Sequence, residues 1–114
     1  MMEYKRGDIV LVNFNPQKKS EEIAKIRPAI IVSDTQLNEI LDLVSVIALT
    51  TNLIDDALPL RVRIEKKENL KKDSDAMIEQ LRSVSKSRIS EKISSLDEKQ
   101  LSQIEYGIKA MLAL

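Results

Sequence analysis

Asp8-Ile9-Val10-Leu11-Val12-Asn13-Phe14 is a β-branched and aromatic run, too short for a helix and preceded by Gly7. It reads as a β-strand, and Asn15-Pro16 end it. Residues 17–26, Gln-Lys-Lys-Ser-Glu-Glu-Ile-Ala-Lys-Ile, form a polar segment of ten residues without a period, long for a simple turn between strands. Residues 28–33, Pro-Ala-Ile-Ile-Val-Ser, read as a second strand that Pro28 opens, because proline cannot donate inside a ladder. Two short apolar strands joined by a polar loop set the fold class as mainly β. Residues 35–42 offer one or two helical turns, and Leu43 to Thr51 is a third strand, apolar on both faces and ending in Thr50-Thr51.

Further along, Leu60-Arg61-Val62-Arg63-Ile64-Glu65 alternates strictly, with Arg61, Arg63 and Glu65 on one face. A charged connector, Lys66 to Asp73, leads to a strand expected over 75–84, interrupted by Glu79, Arg82 and Ser83, and a short strand follows around 86–93. One long helix starts at Leu96-Asp97, with Asp97 as its N-cap or first-turn acid and Leu101, Ile104, Ile108, Met111 and Leu112 as an apolar stripe. Gly107 within it costs roughly 1 kcal/mol against alanine unless it permits a close approach. The expected architecture is a single domain over 1–114, a small barrel of about five to seven short strands closed by the C-terminal helix.

Composition narrows the chemistry. The chain has 114 residues at 12.9 kDa, which rules out a second domain of ordinary size. It contains no Cys and no His, so thiolate nucleophiles, disulfides and the commonest neutral-pH acid/base residue are missing. Catalysis must run on carboxylates, hydroxyls, Lys or Arg. Aromatic residues make up only 3%, so stacking platforms are scarce. Eighteen basic residues balance eighteen acidic ones, but six against nine in residues 1–56 becomes twelve against nine in 57–114, which makes a basic face possible. No apolar run approaches the ~18 residues needed to span a bilayer, and a soluble cytoplasmic protein without membrane association is expected.

Two glycines in the whole chain leave no room for a glycine-rich phosphate loop or a nucleophile elbow. Three polar sets remain: Ser20, Glu21, Glu22 and Lys25 leading to Arg27; Thr50-Thr51; and Glu79-Gln80-Leu81-Arg82. Brought together, an Arg fork, a hydroxyl and a carboxylate suit phosphate chemistry. Each also has a plain structural role available. Arg27 can pair with Glu21 or Glu22, the threonines suit a strand end, Glu79 and Arg82 can be a hydrogen-bonding pair, and Arg61 and Arg63 can form a solvated face or track a nucleic-acid backbone.

In this order and at these separations, Arg6-Gly7-Asp8-Ile-Val, Arg27-Pro28-Ala-Ile-Ile-Val-Ser, Thr50-Thr51, Leu58-Pro59, Asp73-Ser74, Glu79-Gln80-Leu81-Arg82-Ser-Val and Ser87-Arg88-Ile resemble the MazF/PemK/Kid family of toxin endoribonucleases from type II toxin–antitoxin modules. The resemblance runs along essentially the whole chain. It implies an SH3-like, CcdB-like barrel that forms a homodimer and needs no metal or other cofactor. The implied reaction is cleavage of single-stranded RNA to a 2′,3′-cyclic phosphate and a 5′-hydroxyl. By position, Arg27 would be the main catalytic residue and Thr50 its partner hydroxyl at the scissile phosphate. Arg stays protonated, so Glu22 or Glu21 would take the proton, and Glu79 matches a catalytic acid of some members. Ser20, Glu21, Lys25, Thr51, Gln80, Arg82, Arg61, Arg63, Lys86 and Arg88 would contact RNA, and an antitoxin with an acidic segment would cover the groove. Two departures stand out: Lys19-Ser20-Glu21-Glu22-Ile23-Ala24-Lys25 lacks the glycine common in this loop, and Met77 replaces a basic residue that some members hold two positions before the acid. The alternatives are a catalytically silent barrel that acts by binding, or a gyrase-directed toxin, whose C-terminal Trp this chain lacks, ending in Met-Leu-Ala-Leu.

Overall fold

The structure is a computed structural model, described here for residues 2–14 and 26–114. In chain order the elements are β1 (Asp8–Asn13), β2 (Ile26–Ile31), α1 (Thr35–Ile40), β3 (Leu43–Thr50), β4 (Arg61–Ile64), β5 (Ser74–Met77), β6 (Arg82–Ser85), β7 (Ile89–Ser95) and α2 (Glu98–Leu112). Among the described residues the seven strands form one antiparallel sheet in the order β4-β5-β3-β2-β1-β7, with β6 pairing alongside the first half of β3.

The run apolar on both faces, Leu43 to Thr51, is explained by two cores, one on each face of this sheet. Ile9, Ile30, Ile47 and Leu49 point into the first, together with Val62, Ile64 and Ile78. Their strand neighbours Val10, Val12, Ala29, Ile31, Val44 and Val46 point into the second. Helix α2 covers the first core through Ile104, which is fully buried, with Ile108 and Met111 beside it. The corner between β6 and β7 closes the second through Val84 and Ile89, with Met2, Tyr4 and Phe14 packed at its edge. The barrel is completed by the β4–β5 connector rather than by a further ladder. Asn69 N–H donates to the Ile93 carbonyl of β7 at 3.3 Å, and Ser94 Oγ donates to Glu68 Oε1 at 2.6 Å.

The Arg6-Gly7-Asp8 motif is a structural joint. Gly7 adopts φ 93°, a conformation that disfavours any side chain. Its N–H reaches the Ile31 carbonyl at 2.7 Å, and its carbonyl accepts from Leu96 N–H at 2.8 Å. Arg6 donates to the Val32 carbonyl at 2.6 Å and to Glu105 of α2, so the chain start, β2 and the C-terminal helix are tied at one point. The expected helix start holds: Asp97 accepts from Gln100 N–H at 2.7 Å, and Gln100 Oε1 accepts from Asp97 N–H at 3.0 Å, a reciprocal capping box.

Three boundaries differ from the sequence reading. Pro28 is the third residue of β2 instead of its first. It is tolerated because β2 pairs with β1 alone there, its pairing with β3 starting at Ala29. The single strand expected over 75–84 is two, β5 and β6, separated by a one-turn 3-10 helix at Ile78–Gln80. Lys86–Arg88 is likewise a 3-10 turn, and the strand expected there runs instead from Ile89 to Ser95.

Candidate functional site

Arg27 is exposed on the second position of β2, opposite Val12 of β1. The β2–β3 register sets Ala29 opposite Ala48, and continued by two residues it brings Arg27 level with Thr50, the last residue of β3. Thr50 pairs with Asp75 of β5, and Asp75 pairs with Arg63 of β4. Facing residues of an antiparallel ladder share a face. One row across the sheet therefore holds Arg27, Thr50, Asp75 and Arg63. The Arg27 guanidinium has no hydrogen bond or ion pair among the described residues. Thr50 Oγ1 accepts from Asn52 N–H at 3.1 Å, which fixes the oxygen and leaves its own proton to donate. Thr51 is exposed beside it.

Asp75 anchors the end of this row. It is 1% exposed, and its Oδ1 accepts from Arg63 Nε at 2.6 Å while its Oδ2 accepts from Ile54 N–H at 2.7 Å. Arg63 also reaches Asp55 at 2.8 Å, so the segment that follows Thr50 is pinned to β4 and β5. Burial pushes the Asp75 carboxyl up, but hydrogen bonds from Arg63 and Ile54 and the charges of Arg63 and Arg61 outweigh it, and its pKa lies below the ordinary carboxylate value. Those same carboxylates raise the pKa of Arg63. Because the folded-state value lies below the unfolded one, this interaction stabilises the protein fully above about pH 4 and is lost as the pH falls through the depressed value. The acid limb of a melting-temperature profile should therefore be flatter in Asp75→Asn than in the wild type, a comparison that thermal unfolding between about pH 2 and pH 5 makes directly. Parallel acid limbs would show that Asp75 does not carry it.

The other candidates divide. Arg61 donates to Glu79 Oε1 at 3.1 Å, so neither Arg61 nor Arg63 belongs to a merely solvated face: both are held in ion pairs. Glu79 and Gln80 are exposed on the 3-10 turn, with Glu79 reached from the Arg61–Met77 position of the β4–β5 ladder and not from the Thr50–Asp75 position. Met77 is buried, and Arg61, opposite it in register, supplies the cation beside the acid that residue 77 lacks. Arg82 lies over the Phe14 ring at 5.3 Å and Lys86 over the Tyr4 ring at 5.2 Å, both at the rim of the second core. Arg88 lines a cleft of about 580 Å³ with Asn13, Ser85 and Ile26, the residue before Arg27. Ser20, Glu21, Glu22 and Lys25 lie outside the described residues.

Sequence reading missed Asp75. The signal was present: an alternating strand with two arginines on one face needs an acid on its neighbour, and Asp75 stands opposite Arg63. It also missed a cleft of about 540 Å³ lined by Pro28 and Thr51, the chain neighbours of Arg27 and Thr50, together with Leu11, Lys71, Lys72 and Glu91.

A family model described as PemK-like, MazF-like toxin of type II toxin-antitoxin system matches residues 5–112. Two staphylococcal proteins named Endoribonuclease MazF align over 111 residues, covering 96% of this chain and 92% of each relative: 34% identity for that of Staphylococcus saprophyticus and 32% for that of Staphylococcus epidermidis. Among solved structures, MazF from Deinococcus radiodurans matches with a TM-score of 0.79 at 20% identity over the whole of both chains. A MazE-MazF structure from the same organism matches at 0.82 and 20% identity, over 100% of this chain and 99% of that one. At that identity the structural likeness shows the fold, a mostly antiparallel sheet with a C-terminal helix.

Proposed function

The chain belongs to the PemK-like, MazF-like toxin family of type II toxin–antitoxin systems, and on that premise we propose that it is an endoribonuclease toxin cutting single-stranded RNA in the cytoplasm as a homodimer, neutralised by a cognate antitoxin. The observation that carries the site is the register that sets Arg27, whose guanidinium has no partner among the described residues, level with Thr50 at two adjacent strand ends.

In this reading the RNA 2′-oxygen attacks the neighbouring phosphorus. The 2′-O–P bond forms as the P–O5′ bond breaks, giving a 2′,3′-cyclic phosphate and a 5′-hydroxyl. Arg27 supplies a fixed positive charge and a fork of donors to the phosphorane oxygens, and Thr50 adds a single donor. Arg27 stays protonated, so the 2′-proton leaves to a carboxylate, Glu22 or Glu21, and the departing 5′-oxygen takes its proton from the acid position, Glu79, or from water. Glu79 takes part only by releasing Arg61. Ser20, Lys25, Thr51, Gln80, Arg82, Lys86 and Arg88 complete the RNA contacts, whereas Arg61 and Arg63 serve first to hold the site's frame.

The chemistry is tested on a cut RNA. Fragments made in excess EDTA should carry cyclic phosphate at their 3′ ends and hydroxyl at their 5′ ends, and a single 2′-deoxy substitution at the mapped position should stop cutting there. Fragments ending in 5′-phosphate, or cutting that survives the 2′-deoxy substitution, would overturn the 2′-hydroxyl route. Intact RNA would leave a toxin that acts by binding alone.

A further inference from the structure

Asp75 is a buried acid on the Arg27–Thr50 row that the cleavage chemistry leaves unused. At 1% exposure, with both carboxylate oxygens accepting hydrogen bonds, it neither meets RNA nor exchanges a proton with it. What it holds is the turn that follows Thr50. Residues 51–56 are exposed, so packing does little to fix them. Asp75 Oδ2 accepts from Ile54 N–H at 2.7 Å, its Oδ1 accepts from Arg63 at 2.6 Å, and Arg63 reaches Asp55 at 2.8 Å. The turn is thereby fastened at two consecutive residues, Ile54 and Asp55.

The same turn orients the Thr50 hydroxyl. Thr50 faces Asp75 across the β3–β5 ladder, and its Oγ1 accepts from Asn52 N–H at 3.1 Å. A hydroxyl bonded to a backbone N–H two residues on makes a weak local turn, and the threonine side chain has other staggered wells to enter once that N–H moves. Asn52 lies between Thr50 and the tethered Ile54, so the tether keeps its N–H in place.

We propose, resting on the endoribonuclease reading, that Asp75 is a positioning residue: gripping Ile54 N–H with a carboxylate that Arg63 holds, it keeps the Thr50 hydroxyl aimed at the scissile phosphate. Asp75 touches neither RNA nor the reacting atoms and acts through Thr50 alone.

A double-mutant cycle tests this, with kcat and KM on one single-stranded RNA measured for the wild type, D75N, T50V and T50V/D75N at a temperature where melting curves show all of them folded. Asparagine fills the same space but has a single acceptor oxygen, so either Arg63 or Ile54 N–H loses its partner. In the wild-type background D75N should lower kcat about tenfold and leave KM within about twofold, the pattern of a displaced group acting in the transition state. In the T50V background no hydroxyl remains to be aimed, and D75N should change kcat by less than about twofold. R63Q, changed at an exposed position, carries the same cycle if D75N does not fold, and R63K, which can keep one bond to Asp75, should recover most of the loss. Equal losses in both backgrounds would make Asp75 a merely structural residue. That result, a loss confined to KM, or a wild-type kcat in D75N overturns the proposal while the enzyme stands. A T50V protein that cuts at the wild-type rate would remove Thr50 from the site and the proposal with it. A wild type that cuts no RNA would remove the endoribonuclease reading itself.

Discussion

An Arg27→Ala protein is expected to melt at the wild-type temperature and to cleave RNA about a thousandfold more slowly, the loss seen when a preorganised donor to developing transition-state charge is removed. The two halves of this expectation have separate structural grounds. Stability is preserved because the side chain is exposed and makes no hydrogen bond or ion pair among the described residues, and because the backbone keeps its place opposite Val12. Activity is lost because nothing else in the row can substitute. Arg63, two ladder steps beyond Thr50, is held by Asp75 and Asp55. Arg27→Lys should recover only part of the rate, since an ammonium keeps the charge but lacks the planar fork. Single-turnover rates and melting curves on the same preparations check both halves. An equal fall of rate and stability would make Arg27 a structural residue.

Gly107→Ala is expected to destabilise the fold by about 2 kcal/mol, even though alanine is the better helix former by roughly 1 kcal/mol. A Cβ on Gly107 would stand 2.5 Å from the Pro59 carbonyl oxygen and 3.1 Å from Ile78 Cγ1. The first of these is backbone and cannot rotate away. Helix α2 would have to lift off the segment entering β4, loosening the packing around Ile104 and Ile78. The melting temperature should drop by about 10 °C. Circular dichroism melts measure this directly, and a variant as stable as the wild type or more so would show that α2 does not pack as described.

Much of this architecture was readable from periodicity. Short β-branched runs marked β1 and β2 as strands and a run apolar on both faces marked β3 as a buried one, and the structure gives each face of this sheet its own core. The stripe and cap of α2 were equally plain, because a capping box is written in residues three apart. The break between β5 and β6 was not, since Ile78 is as buried as a strand residue while Glu79 and Gln80 turn outward. Local composition cannot separate a 3-10 turn from an interrupted strand. The cost of Gly107 was visible, but its reason, the Pro59 carbonyl, comes from a residue 48 positions earlier that only the fold brings near.

The site was legible as residue types and not as geometry. Arg27 and Thr50 stand out by their place in the family pattern, and their alignment follows from a register that no single strand encodes. The alternation of Arg61 and Arg63 reads as a solvated face or one that tracks a nucleic-acid backbone, and the structure pairs each of them with a carboxylate.

The most direct test of the central claim is to incubate a long single-stranded RNA with purified wild type and with Arg27→Ala in excess EDTA and to map the fragment ends by primer extension. Discrete cuts by the wild type are expected, unaffected by EDTA and lost in an Arg27→Ala protein that melts normally. Cuts at the same positions and at the same rate from both proteins would contradict it.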